Sequence, residues 1–199
     1  MKEILPGVFH WTARHPSIKI EVSCHLVAEG TPTAIDPLLP KGGVQTLADH
    51  GPPEQVVLTN RHHLRDSKRL AEEFGLPIRC NENGLHEFEC GDVEVEGFSF
   101  GDELSPLITA HEVGAICDEE TALHIASGDG ALAFADGLIH YRRLGFVPDH
   151  LLGEDPEAVK RGLVQAYARL LELEFDNLLF AHGAPIVGGG KQALREFVG

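Results

Sequence analysis

Short apolar runs punctuated by glycine and proline fill the first hundred residues, and their period separates strands from helices. Ile18, Ile20 and Val22 alternate with Lys19 and Glu21, and 24–28 extends the run, which predicts a half-buried strand. Gly30-Thr31-Pro32 turns the chain into Ala34-Ile35, and Asp36-Pro37 ends that short strand. Residues 44–48 form a short helix after Gly42-Gly43, stopped by Gly51-Pro52-Pro53. Residues 55–59, centred on Val56-Val57-Leu58, read as a strand covered on both faces. A polar run over 60–67 follows, then a helix through Leu70, Ala71 and Phe74 that ends at Gly75, then a strand over 77–80. This strand–helix–strand order is an α/β signal.

The middle of the chain is mainly β. Residues 92–96 alternate, 107–109 follow, and 123–125 and 131–134 are joined by Asp129-Gly130, a hairpin dipeptide. From 156 to 175 the period becomes helical, with Val159, Leu163, Ala166, Leu170 and Leu173 on one face and Pro156 suited to the first turn. Leu178-Leu179-Phe180 is a further buried strand leading into Ala181-His182-Gly183, and a short helix over 192–198 closes the chain. No repeat or low-complexity linker interrupts residues 1–199, so one domain is expected.

Composition narrows the partners. The formal charge is −15, with 16 Lys and Arg against 31 Asp and Glu, which opposes a nucleic-acid partner because phosphate binding requires a basic surface. Arg142-Arg143 is the only short basic cluster outside 61–69. No run of eighteen apolar residues and no secretory leader is present, so a cytoplasmic protein without a membrane partner is expected. Cys24, Cys80, Cys90 and Cys117 are widely spaced and read as reduced thiols. Twelve histidines are many for 199 residues, and histidine is the commonest metal ligand.

Several polar groups directly follow apolar strands: the run from Asn60 to Asp66, His111, Asp136 and His182. Strand ends along one rim are where open α/β architectures place their chemistry. With these landmarks in order, the sequence resembles the metallo-β-lactamase superfamily over nearly its full length. Ala34-Ile35-Asp36 resembles the family's first strand ending in Asp, and Thr59-Asn60-Arg61-His62 resembles the start of its T-H-x-H-x-D-H segment. His111 resembles the later His, Phe134-Ala135-Asp136 the acidic strand end, and His182-Gly183 the final His-Gly. The resemblance implies a four-layer αββα sandwich: two mixed β-sheets face to face, flanked by helices, with metal at one rim.

In the register set by Thr59, Asn60 replaces the first His of the motif, Leu64 its Asp and Arg65 its last His. The resemblance then implies at most one divalent metal (Zn first, with Fe or Mn as alternatives, or none), held by His62, His111, Asp136 and His182. Asp136 or Asp66 would orient the attacking water. Asn60, His63 and Arg65 would line the site, with His63 a substitute ligand one residue out of register. Arg65 cannot deprotonate and would oppose a second cation. The implied activity is hydrolysis of a small-molecule ester, thioester, lactone or phosphodiester by a metal-activated hydroxide. The alternative is a metal-free binding or regulatory domain on the same fold. Oligomeric state is not legible in the sequence.

Overall fold

In the computed structural model, which describes all 199 residues, the strands divide into two stacked sheets and a small ribbon. The first sheet runs in chain order: β1 (Lys2–Leu5), β2 (Val8–Arg14), β3 (Glu21–Val27), β4 (Thr33–Ile35), β5 (Gln55–Val57), β6 (Ile78–Asn81) and β7 (Glu96–Phe98). β1 to β4 pair antiparallel and β4 to β7 parallel. The parallel crossovers carry α1 (Val44–Ala48) and α2 (Ser67–Phe74), as the strand–helix–strand pattern predicts. β8 (Glu103–Ser105), β9 (Ile108–Glu112), β10 (Thr121–Ile125) and β11 (Ala131–Phe134) form an antiparallel meander in the second sheet. The ribbon of β12 (Ile139–His140) and β13 (Leu144–Gly145) leads to α3 (Pro156–Leu170). β14 (Asn177–Phe180) then adds parallel to β11, and α4 (Gly190–Val198) ends the chain.

Side-chain alternation along the strands builds three apolar layers. Val8, Val27, Ile35 and Val57 of the first sheet meet Ile108, Ala110, Leu123 and Leu179 of the second between the sheets. Cys24, Leu26, Val56 and Leu58 face outward onto Leu47 of α1 and Leu70 of α2. Leu132, Phe134, Leu178 and Phe180 face outward onto Leu163, Tyr167 and Leu170 of α3 and Leu194 of α4. The result is the expected αββα sandwich. Between β10 and β11, Gly130 has φ +74°, and a Cβ there would lie 2.5 Å from the Glu174 carbonyl oxygen, so the tight turn requires glycine.

Two strand expectations need correction. The strand expected over 18–22 begins only at Glu21; residues 15–20 are the turn of the β2–β3 hairpin, closed by His15 N–H donating to Ile20 O at 2.8 Å, with Lys19 at φ +60°. Ile18 and Ile20 alternate because both point out of that turn, 55% and 41% exposed. The strand expected over 92–96 begins at Glu96, and Val93 and Val95 instead pack a loop against the outer core of the first sheet. All four cysteines are free: Cys24 and Cys80 are buried, Cys117 is partly buried and Cys90 is exposed. No helix is long and apolar enough to cross a membrane.

Candidate metal centre

Four strand ends meet at one rim: Asp36 after β4, residues 59–63 after β5, Asp136 after β11 and His182 after β14. Asp36 sits in the left-handed region at φ +46°, an unfavourable conformation for a non-glycine residue and one that recurs at functional sites. Its buried carboxylate accepts Thr59 N–H at 2.8 Å and the Thr59 hydroxyl, which fixes the start of the next segment. That segment is a 3-10 turn, Arg61–His63, capped by Asn60, whose Oδ1 accepts His62 N–H at 2.9 Å. Successive side chains on such a turn point about 120° apart, so His62 and His63 cannot face the same way. The turn sends His63 inward and His62 outward.

His63, Asp136 and His182 converge, each offering a donor atom within 4.8 Å of the others. His63 Nε2 lies 3.2 Å and His182 Nε2 2.9 Å from the same atom, Asp136 Oδ1. Behind His63, Nδ1 is 3.0 Å from Asp36 Oδ2. Burial alone would lower the His63 pKa, but the carboxylates of Asp36 and Asp136 outweigh it and push it up to about 9. Burial likewise opposes ionisation of Asp136, yet His63 and His182 hold it well below the usual carboxylate range. Asp36 is lowered too, with His63 and Arg65 overcoming its burial.

Beside this cluster lies a second network of different chemistry. Glu120, at the foot of β10 and 1% exposed, accepts Gly137 N–H at 2.6 Å on Oε1 and the Asn60 amide at 3.1 Å on Oε2. It therefore ties the turn that carries His63 to the turn that carries Asp136. Burial first, and then the charge of Asp136, push Glu120 up to about 8, which favours its neutral form. The Cys117 thiol lies 3.4 Å from the Asn60 amide nitrogen, and burial with Glu120 and Glu119 nearby raises its pKa strongly, keeping it protonated.

The structure sorts the residues expected from sequence. Asp136 and His182 are in the cluster, and His63 occupies the place expected of His62. His62 is exposed on the cavity wall, because the 3-10 turn has a single inward position. His111 is not in the cluster: it lies on the outer face of the second sheet, its ring 6.2 Å from that of His124. The strand period puts it there, since Ile108 and Ala110 take the inner face of β9. Asp66 is not placed as a base; its carboxylate accepts Leu39 N–H at 2.8 Å. Arg65 does not face a second metal either, because its Nη1 donates to the carbonyls of Asp36 (2.6 Å) and Ser23 (3.0 Å) and clamps the strained residue. Asn60 is a cap and a partner of Glu120. Sequence reasoning missed Asp36 as the group behind a ligand, and Glu120. The only signal for Glu120 was the Glu119-Glu120 pair just before an apolar strand.

Asp136 and His182 open into a cavity of about 580 Å³, within the range of small-molecule sites. The donor set fits a metal ion. Two imidazole nitrogens and a carboxylate oxygen are the protein ligands of many catalytic sites that leave a position open. With a metal bound, the carboxylate behind His63 would hold the proton on Nδ1 and leave Nε2 as the ligand atom, the usual support of a metal-binding histidine. Beside the cluster the Asn60 amide is already engaged and His111 points away, and His63, Asp136 and His182 are the group of donors that converges.

Comparison with solved structures shows that this is the metallo-β-lactamase fold. A metallo-β-lactamase family protein from Thermus thermophilus is 16% identical, with 98% of this chain and 79% of that one covered at a TM-score of 0.67. A β-lactamase domain protein from Burkholderia ambifaria is 17% identical, covering 98% and 75% at 0.68. A third protein, solved in a di-iron-bound form, is 20% identical and covers 92% and 96% at 0.68. No family model and no curated protein matches the sequence.

Proposed function

We propose that the chain is a metal-dependent hydrolase of small molecules that works with one divalent ion, held by His63, Asp136 and His182. The observation that supports this most directly is the aim of two imidazole nitrogens at one carboxylate oxygen, with a second carboxylate behind the more buried ring. A Zn, Fe or Mn ion there would supply Lewis acidity and acidify a water molecule toward neutral pH. Asp36 holds His63 in the correct tautomer and orientation. Asp136, the one carboxylate lining the cavity, orients the attacking water, and Glu120 holds the turn that carries it. Esters, thioesters, lactones and phosphodiesters are the substrate classes this chemistry serves.

The test is elemental analysis of purified protein together with turnover against a panel of those four classes. One equivalent of metal and hydrolysis of at least one class are expected. Protein that takes up no added zinc, iron or manganese and turns over nothing would overturn the proposal. In that outcome the His63 imidazolium between Asp36 and Asp136 is a structural ion pair, and the chain is a binding domain on the same fold.

A further inference from the structure

The cavity above the cluster has walls unlike its floor. Of the five large apolar side chains that the protein exposes, Ile18, Ile20, Tyr141 and Leu151 all line this one cavity, each at least 41% exposed. Ile18 and Ile20 come from the tight β2–β3 turn, Tyr141 from the β12–β13 turn, and Leu151 from the 3-10 turn Asp149–Leu151. Three separate loops thus turn greasy side chains toward the same space. Scattered exposed apolar residues need no explanation, but their concentration around one concave site marks a ligand surface.

Charge decides what kind of ligand. Arg61 is the only Lys or Arg among the lining residues, and its guanidinium is bound to Glu119 and sits 3.8 Å from Glu87. An anionic group lying against the wall, away from an ion held at the floor, would find no uncommitted Lys or Arg among the lining residues and would approach a chain of formal charge −15. A carboxylate or phosphate enclosed without a partner carries a large desolvation cost.

On the hydrolase reading above, we infer that the substrate is an uncharged carboxylic ester, thioester or lactone with an apolar acyl chain. The chain lies against Ile18, Ile20, Tyr141 and Leu151, while the acyl carbonyl reaches Asp136 and His182. Substrates that carry a free carboxylate along the chain are discriminated against.

Two measurements on the full-length protein test this and separate its failure from that of the hydrolase reading. In the first, zinc-loaded protein is assayed with p-nitrophenyl esters from acetate to octanoate, with the succinate monoester and with bis-p-nitrophenyl phosphate. In the second, binding of methyl ketones of rising chain length, which cannot be hydrolysed, is measured by calorimetry without added metal. Each added methylene is expected to raise kcat/KM, and ketone affinity, by up to about fourfold. The Ile18→Ser/Ile20→Ser double variant, altered only at exposed positions, is expected to flatten both series to less than about twofold per methylene. Val187→Ser, exposed but outside this cavity, should leave both slopes as they are. Graded ketone binding without any ester turnover would retain the apolar subsite and refute the hydrolase. Turnover without chain-length dependence, a preference for the succinate or phosphate substrate, or slopes unchanged in the double variant would overturn the inference.

Discussion

Two networks share one rim of the sandwich and solve the same problem by different means. On one side, His63, Asp136 and His182 aim ligand atoms at a common spot, with Asp36 behind His63. On the other, Asn60 and Glu120 satisfy each other's polar groups and leave nothing free to bind an ion. Both join the turn after β5 to the turn after β11. One would do so through a metal, the other does so through hydrogen bonds to a buried carboxyl. A hydrogen-bonded brace keeps the two turns in register without an ion, so the neighbouring cluster can keep its geometry.

The largest expected effect breaks the cluster side. His63→Ala and His182→Ala each remove one of three protein donors, and metal content after dialysis should fall from one equivalent to near zero, with loss of turnover. Asp36→Asn leaves the donors in place but removes the carboxylate behind His63; such a change typically lowers metal affinity by about 10- to 100-fold. Metal retained at wild-type level in His182→Ala would sink the assignment.

The brace should respond in stability rather than in metal content. Glu120→Ala strands Gly137 N–H and the Asn60 amide in a buried site, at about 1–3 kcal/mol for each unpaired group. Urea unfolding should therefore show a loss of roughly 3 kcal/mol. Glu120→Gln keeps an oxygen for Gly137 N–H but turns its amide nitrogen toward the Asn60 amide, stranding one donor instead of two, so its loss should be about half as large. Equal losses in the two variants would mean that the carboxyl is charged or that the brace does not form.

A third imidazole beneath the same rim sharpens the contrast between paired and unpaired groups. His25 is as buried as His63, but it has no carboxylate partner and its Nε2 has no hydrogen bond. Burial, with His10 adding to it, lowers its pKa to about 3, against about 9 for His63. Below about pH 6.5 the unfolded chain protonates this side chain while the folded protein does not, so stability falls as the pH drops from that value toward 3. The slope from His25 alone approaches about 1.4 kcal/mol per pH unit, or roughly 2 kcal/mol between pH 7 and pH 5. His25→Leu should lose that much less stability than wild type over the same interval. A variant with the wild-type pH dependence would show that His25 reaches solvent or a partner.

Much of the architecture was legible because period and punctuation carried it. Residues 55–58, 131–134 and 178–180 are apolar almost throughout because β5, β11 and β14 are covered on both faces, and the residues after them therefore had to lie on a rim. Asp136 and His182 were found that way. The sequence could not show which of two adjacent histidines turns inward, because that depends on a 3-10 turn set by the Asn60 cap and on the Asp36 carboxylate reaching across from another strand. Nor could it show Glu120, since a glutamate before a strand is ordinarily a solvated residue and only the tertiary approach of Gly137 and Asn60 makes it a brace.

The smallest expected effect tests that lesson most directly. The resemblance makes His111 a ligand; the strand period makes it a residue of the outer face. Ala110 and Ile108 are buried between the sheets, so the alternation of β9 forces His111 to the other side, where its nearest aromatic neighbour is His124. His124 in turn bonds the Glu174 carbonyl on that same outer face, 2.8 Å from its Nε2. To reach the cluster, β9 would have to slip by one residue, which would move Ile108 and Ala110 out of the core and is opposed by their burial. His111→Ala is therefore expected to leave metal content at one equivalent and kcat/KM within about twofold of wild type, with a stability cost under about 1 kcal/mol from the exchange at a partly exposed strand position. Elemental analysis and turnover, run beside His182→Ala in the same preparation, decide it. Loss of metal in His111→Ala would mean that β9 adopts the slipped register and that the resemblance, rather than the strand period, names the ligand.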